Sequence, residues 1–554
     1  MKRFNIKLMS GVLAVALTGT TLTGCMDDIE VTQVATEEQI GSSTSALEGL
    51  VQAMPAKFNS INSTLLDKNG WHGCFGYGSM MYQRDLMTGD LALVGNYSSH
   101  FDSFARNQNM GEDYIFAGYI WSYYYGVILS ANNVISAVNP ETATTSQLGY
   151  LGAGYAFRAL SYIDLARMIE FLPNEIFPDG KNTDGHDVTH LTVPIVEAGM
   201  SESAARNNPR VSRDSMFQFI LGDLDKAEKY IVGIPSTNGK TLPDLACVYG
   251  LKARLYMWVE DYANAEKYAK LAIDNSTVAP MTEDECLNTT TGFNDISKWM
   301  WGGNQNSESS TVQTGIVNWT SWLSNQTSFG YTGSNTSMYN YIDVNMYDRI
   351  SNTDFRKKEW VAPKGSALDG QNLYIAGEEG TIPEYASLKF RPNEGNADTY
   401  TTGAAASVPV MRVEEMYFIQ AEAAAHQDAA RGKQLLESFM KQYRDPSYTC
   451  KASSQDDVIE EIVFQKRVEL WGEGQTFFDI KRLNYSVTRA YKGTVFDPLS
   501  RFNTNGRPAW MNIVISRNET QNNTALDGYN NPDPSNKYTV VDLSLIHISE
   551  PTRH

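Results

Sequence analysis

Two stretches of this chain gather the residue types that a polyhydroxylated ligand demands. Residues 71–109 and 293–347 show no sustained hydrophobic period and an excess of Gly, Asn, Ser, Thr and aromatic residues. A sugar presents apolar C–H faces and a rim of hydroxyls, so a site for it needs flat rings for stacking and Asn, Asp, Gln or Arg groups for directional hydrogen bonds. Both stretches supply both kinds. Trp71, Tyr82, Arg84, Asp85, Asp90, Asn96 and Tyr97 are the candidate ligand-binding residues of the first, and Trp301, Asn318, Trp319, Trp322 and Tyr331 those of the second. Long irregular segments in a compact domain are functional or disordered, and this density of rings argues against disorder.

Plainer roles compete for the same residues. Trp299 and Trp301 alternate in KWMWGG, as strand residues packed on helices would. Trp319 and Trp322 can share a side only if their segment is locally helical or turned, and they suit either a ligand wall or a buried cluster. Arg84 and Asp85 also read as a local ion pair, and Tyr123 to Tyr125 as helix packing. Catalysis has little support. Glu414-Glu415 and Glu460-Glu461 are adjacent on helical patterns and point in different directions, and no GxSxG, HExxH or phosphate-cradling GxxxxGK[ST] is present. Cys74, Cys247, Cys286 and Cys450 are far apart without a CxxC pair, which is not a zinc pattern; Cys247 reads as a small buried hydrophobe. DGKNTDGHD, Asp179 to Asp187, carries oxygen groups without EF-hand spacing and reads as a polar loop. The sequence therefore assigns no catalytic residue, metal ligand or cofactor.

Helices must position these stretches. Residues 246–274 place Tyr249, Ala253, Tyr256, Ala265 and Ala272 at the spacing of a tetratricopeptide helix pair, with Glu260-Asp261-Tyr262 at the turn. Similar pairs are readable at 115–138 with 148–168, at 212–230 and at 413–443. At 554 residues, 42% hydrophobic, the chain can bury a large core, and no linker divides it. The formal charge is −19, and loss of Lys2, Arg3 and Lys7 with the leader takes it to −22. That balance disfavours nucleic acid or an anionic lipid surface and suits a neutral ligand.

The leader is itself legible. Those three basic residues precede an apolar run from Leu8 to Leu17, and Leu22-Thr23-Gly24-Cys25 follows, the pattern of an export signal (1–24) ending in a lipoprotein cleavage box. Cys25 then becomes the acylated first residue of a tether over 25–42. At the other end, LSLIHISEPTR is what a DNA-library adapter encodes when read in frame, so 543–554 is set aside as an assembly scar and the domain is placed at 43–542. The preceding GYNNPDPSNKY reads as a polar terminal loop.

IVFQKRVELWGEGQTFFDIKRL, residues 462–483, is the densest cluster of charge and rings. Ser454 and Asp457 stand at capping-box spacing; Ile459, Ile462, Val463, Lys466 and Leu470 then follow one helical face until Gly472 and Gly474 stop it. Arg467, Glu469, Glu473, Asp479, Lys481 and Arg482 around Phe477 and Phe478 read as a paired ion network sealing that helix end against the core. The segment resembles the C-terminal signature of the SusD/RagB family of outer-membrane nutrient-binding lipoproteins. WSYYYGVILSANNVISAV (121–138), GYAFRALSYIDLAR (154–167), MYDRISNTDFRKKEW (346–360) and PVMRVEEMYFIQAEAAA (409–425) resemble other family segments in family order. The resemblance implies a mostly α fold, a right-handed superhelix of tetratricopeptide-type helix pairs carrying a loop-rich, minor-β ligand-binding half.

It also implies a non-catalytic, surface-exposed, lipid-anchored protein of the outer membrane that hands oligosaccharides to a SusC-like TonB-dependent transporter. Asp27, Asp28 and Glu30 after the cysteine resemble the signal for surface display. Other readings are the same fold binding peptides or another nutrient, as in the RagB branch, a protein-interaction scaffold of tetratricopeptide type, and a surface glycosidase. The anchor is directly testable: Cys25→Ala should move the protein out of the outer-membrane fraction and abolish its protease accessibility on intact cells, and unchanged retention would refute acylation at Cys25.

Overall fold

The computed structural model describes residues 44–95, 100–235, 239–333 and 336–545. Cys25 with its signal and tether, and the ligand candidates Asn96 and Tyr97, lie outside the described residues. Helices dominate and strands are few and short. In chain order the main elements are α1 (Thr44–Ala56), α2 (Tyr77–Leu86), β1 (Leu91–Val94), α3 (Ile115–Ala137), α4 (Thr145–Ile169), α5 (Arg213–Tyr230), α6 (Leu245–Trp258), α7 (Tyr262–Asn275), β2 (Trp301–Gly303), α8 (Trp319–Leu323), β3 (Tyr339–Ile342), β4 (Val408–Met411), α9 (Val413–Gln427), α10 (Ala429–Tyr443), α11 (Gln455–Glu469) and α12 (Thr476–Leu483).

Helix starts follow side-chain chemistry. Thr144 and Gln147 form a capping box at α4, and Ser212, Asp244, Asp261 and Ser454 each accept an N–H of the first turn of α5, α6, α7 and α11. The array then builds pair on pair: α3 packs on α4, α4 on α5, α5 on α6, α6 on α7, α7 on α9, and α9 on both α10 and α11. Small residues permit the close crossings. A Cβ on Gly149 would lie 2.3 Å from the Gly233 carbonyl carbon, so α4 meets the chain after α5 backbone to backbone. The four cysteines are buried free thiols.

The sheets are two antiparallel pairs. β1 pairs with β3, Leu91 opposite Ile342 and Val94 opposite Tyr339, which ties the first ring-rich stretch to the second. β2 pairs with β4 across a bulge at Trp301 and Gly302.

Residues 462–489 join the helical array to those stretches, as a buried ion network. Glu469 faces Arg356, Arg412 and Arg444 at 3.1, 3.1 and 2.7 Å, and Glu473 faces Arg412 and Lys389 at 2.9 and 2.8 Å. Asp479 takes Lys466 and Arg482, and Arg482 also reaches Glu422. Lys481 instead donates to three carbonyls at the end of α4, those of Arg167, Met168 and Glu170. Burial works against the Glu469 charge, but Arg444, Arg412 and Arg356 outweigh it and hold its pKa well below the usual carboxylate range.

The polar segment before the C-terminus is more than a terminal loop. Asn531, buried, donates to the carbonyls of Ile169 and Ile513, and the Asn107 amide donates to that of Pro534.

Removing the central acid should be costly. Glu469→Gln leaves three buried guanidinium groups short of a counter-charge, and the loss should be about 3 to 5 kcal/mol by urea denaturation. The folded-state pKa is depressed, so the Glu469 contribution is complete above its ordinary value of 4.5 and fades only as pH falls toward the lowered one. The deficit should therefore be equal at neutral and mildly acidic pH; a loss under about 1 kcal/mol would contradict this role.

Candidate functional site

Most of the rings and charges singled out in the two irregular stretches are used up inside the protein. Trp301, Trp319 and Trp322 are each no more than 1% exposed, Tyr82, Arg84 and Asn318 are fully buried, and Trp71, Asp85 and Asp90 nearly so. Their partners explain why. Trp301 lies on Phe157 and Phe58 and donates its indole N–H to the Thr241 carbonyl, settling it as strand core. Trp319 and Trp322 do fall on one short helix, α8, whose N-cap is Asn318; the Asn318 side chain accepts the Ser321 N–H at 2.9 Å. Trp319 then packs on Phe390 and over Gly78 of α2. The indole N–H groups of both α8 tryptophans have no acceptor among the described residues, so the rings serve as hydrocarbon. Trp71 donates to the His100 carbonyl at 2.7 Å.

The charged candidates fasten the first stretch to the C-terminal segment. Arg84 pairs with Asp164 at 2.9 Å rather than with its neighbour Asp85. Asp85 accepts the Gly474 N–H at 2.8 Å, and burial raises its pKa to about 8, so it is largely neutral near pH 7. Asp90 is gripped by both arms of the Arg467 guanidinium, and its carbonyl accepts the Trp471 indole N–H. Arg489 adds hydrogen bonds to the carbonyls of Leu86, Thr88 and Ala105. The Tyr82 hydroxyl donates to Asn340 of β3 at 2.8 Å. These groups read as ligand contacts in sequence because sequence shows polarity and not burial; the structure places them in buried contacts.

Where the two stretches meet, a ring cluster remains partly exposed. Tyr331 comes from the second stretch and His72 and His100 from the first. Tyr331 is held from behind: its N–H donates to the Ser321 carbonyl at 2.8 Å and its ring stacks on Trp322, centroids 4.0 Å apart and 11° from parallel. Trp322 is closed in by Phe101, Tyr82 and His100, so it backs Tyr331 instead of facing solvent. The two imidazoles stack at 4.6 Å, nearly parallel, and both meet the Tyr331 ring edge-on.

Hydrogen bonding sets the protons of this cluster. His100 Nδ1 accepts the His72 backbone N–H at 3.2 Å, so the neutral ring carries its proton on Nε2. That Nε2–H donates to the Tyr331 hydroxyl at 3.1 Å, and the hydroxyl donates onward to Nδ1 of His72. His72 is thereby left with its proton on Nε2, which has no acceptor among the described residues. Burial lowers both imidazoles, His100 to about 4 with the neighbouring His72 contributing, and pushes the Tyr331 hydroxyl up to about 12. The result is an uncharged patch with one aromatic platform and one directed N–H donor, the requirements of a neutral polyhydroxylated ligand. His72 and His100 escaped the sequence reading, although two of the few histidines in the chain falling within one ring-rich stretch was a usable signal.

The acid pairs considered for catalysis are committed elsewhere. Glu414 faces Arg412 and Arg444, Glu415 takes Arg254 with both oxygens, and Glu460 and Glu461 share Arg349. An open groove of about 530 Å³ runs beside the second stretch, but amide and hydroxyl side chains such as Asn294, Asn304, Asn306 and Asn393 line it without a stacking ring.

Residues 348–542 match the model of the SusD family. Solved structures share the fold across nearly their whole length. A SusD-like carbohydrate-binding protein from Bacteroides vulgatus is 22% identical with a TM-score of 0.64, covering 87% of this chain and 97% of its own. A SusD superfamily protein from Bacteroides thetaiotaomicron is 15% identical with a TM-score of 0.64, over 86% and 98%. Surface glycan-binding protein A from Bacteroides uniformis is 15% identical with a TM-score of 0.59, over 88% and 100%. No curated protein matches the chain.

The burial of the α8 rings can be measured. Trp319→Ala and Trp322→Ala should each lower folding stability by about 3 to 5 kcal/mol, as loss of a buried tryptophan does. Trp322→Ala should also weaken ligand binding by removing the support of Tyr331. Wild-type melting of both variants would return these rings to the ligand wall.

Proposed function

We propose that this chain, whose residues 348–542 match the model of the SusD family and whose fold is that of solved SusD-like proteins, is a non-catalytic cell-surface carbohydrate-binding protein. The observation that carries the reading is the uncharged patch of Tyr331, His72 and His100 at the junction of the two ring-rich stretches. Tyr331 offers a face or edge for the C–H surface of a sugar, and His72 Nε2–H a donor for a ring hydroxyl or the bridging oxygen. Two solved proteins of this fold are named for carbohydrate or glycan binding. The strongly negative net charge also suits a neutral ligand.

In this reading Cys25 carries the lipid anchor, the domain stands outside the outer membrane, and oligosaccharides pass to a SusC-like TonB-dependent transporter. Among the described residues no helix is long and apolar enough to cross a membrane. Asn96 and Tyr97, next to His100 in sequence, remain candidates for the same patch.

A glycan array followed by calorimetry tests the proposal. Tyr331→Ala should weaken the oligosaccharide selected on the array about tenfold or more while melting shifts far less than in Trp322→Ala. Affinity should fall as pH approaches the lowered His100 value of about 4, because a proton on Nδ1 of His100 opposes the His72 N–H. Oligosaccharides incubated with the protein should keep their lengths. Binding that ignores Tyr331, selection of peptides in place of glycans, or shortening that disappears on mutating one carboxylate would overturn the reading.

A further inference from the structure

A cavity of about 150 Å³ lies far from the ring cluster in sequence, among the ends of α4, α6, α9, α11 and α12. Seven Arg and Lys side chains line it against four Asp and Glu, in a protein whose overall charge is strongly negative. Three of the four acids are already taken, and the fourth, Glu260, is exposed. Glu415 gives both oxygens to Arg254 at 2.7 and 2.6 Å; Glu170 gives one to the Trp258 indole and one to His190, each at 2.7 Å; Asp479 serves Lys466 and Arg482.

Donors, in contrast, are left over. Arg254 is 2% exposed, and its Nη1 has no hydrogen-bond acceptor among the described residues. Nη1 of Arg482, whose side chain is 8% exposed, is in the same position. Arg167 lines the same space with its guanidinium stacked 3.6 Å from the centre of the Phe478 ring and paired with Asp164 at 3.0 Å; burial, and then the charges of Arg254 and Arg84, lower its pKa in spite of that pairing. Buried guanidinium N–H groups without acceptors are costly, and like charges brought together in a low dielectric make them costlier. An anion removes both penalties at once, and planar forked donors match the oxygens of a carboxylate or a tetrahedral oxyanion.

We infer that this cavity is a binding site for one small oxyanion, held by Nη1 of Arg254 and Nη1 of Arg482 on the wall that Arg167 and Phe478 complete. The volume admits several waters or one such ion. His190 and Arg213, both partly exposed, stand among the lining residues as the route from solvent. The site is separate from the carbohydrate patch and does not depend on that reading.

Anomalous diffraction from wild-type crystals, grown with selenate in one arm and bromoacetate in the other, tests it directly. The account expects a selenium or bromine peak inside the cavity with an oxygen within hydrogen-bond distance of Arg254 and Arg482; the arm that gives it tells a tetrahedral oxyanion from a carboxylate. In solution, calorimetric affinity for the same anion at constant ionic strength should fall about tenfold in Arg482→Gln, with folding checked by circular dichroism. If that variant does not fold, the wild-type diffraction decides alone. Peaks confined to the surface, or water alone in the cavity in both arms, would overturn the assignment.

Discussion

The buried charge network of the C-terminal segment is the constraint on which the remaining structure depends. Three guanidinium groups converge on Glu469 and two cations on Glu473, all nearly removed from water. Desolvating so many charges is affordable only if every acid keeps its partners, so the network demands one arrangement of the elements that supply them. Those elements are distant in sequence: Arg356 and Lys389 from the irregular half, Arg412 from the end of β4, Arg444 after α10, Glu469 and Glu473 at the end of α11. From the same segment Arg467, Trp471, Gly474 and Arg489 fasten residues 85–105. The ion network thus fixes the base of the stretch that presents His72 and His100 relative to the helices.

The aromatic residues divide along this frame. Tryptophans fill the space between helices and irregular half, where their area is most useful, and four of them at 299, 301, 319 and 322 are almost wholly enclosed. What remains for a ligand is smaller and more mixed: one tyrosine backed by a tryptophan, and two imidazoles kept neutral by burial. A buried platform under a partly exposed ring is a reasonable division of labour. The inner ring holds position, and the outer ring keeps a hydroxyl whose hydrogen bonds orient both histidines.

Much of the fold was legible because helices declare themselves locally. The pair at 245–275 has the spacing and turn of its repeat type, and Ser454 marks a helix start by chemistry that acts within one turn. The ion network was also readable, since a run of alternating charges around Phe477 and Phe478 has few other uses beside a helix end. The site was not legible in the same way. Whether Trp322 or Tyr331 meets solvent depends on which ring covers the other, a relation set by the 321–331 turn and by Phe101 from another stretch. Asp85 and Asp90 likewise look like ligand groups until their partners, about 380 residues further along, are in view. Their burial is a product of long-range pairing, which local pattern does not carry.

A crystal structure with an oligosaccharide chosen by array binding would test the central claim most directly. The account predicts a sugar ring against Tyr331, with a hydroxyl or bridging oxygen within hydrogen-bond distance of Nε2 of His72 and the Trp319 and Trp322 rings still enclosed. A sugar bound with Tyr331 and His72 untouched, or stacked on Trp319 or Trp322 after α8 has opened, would contradict it.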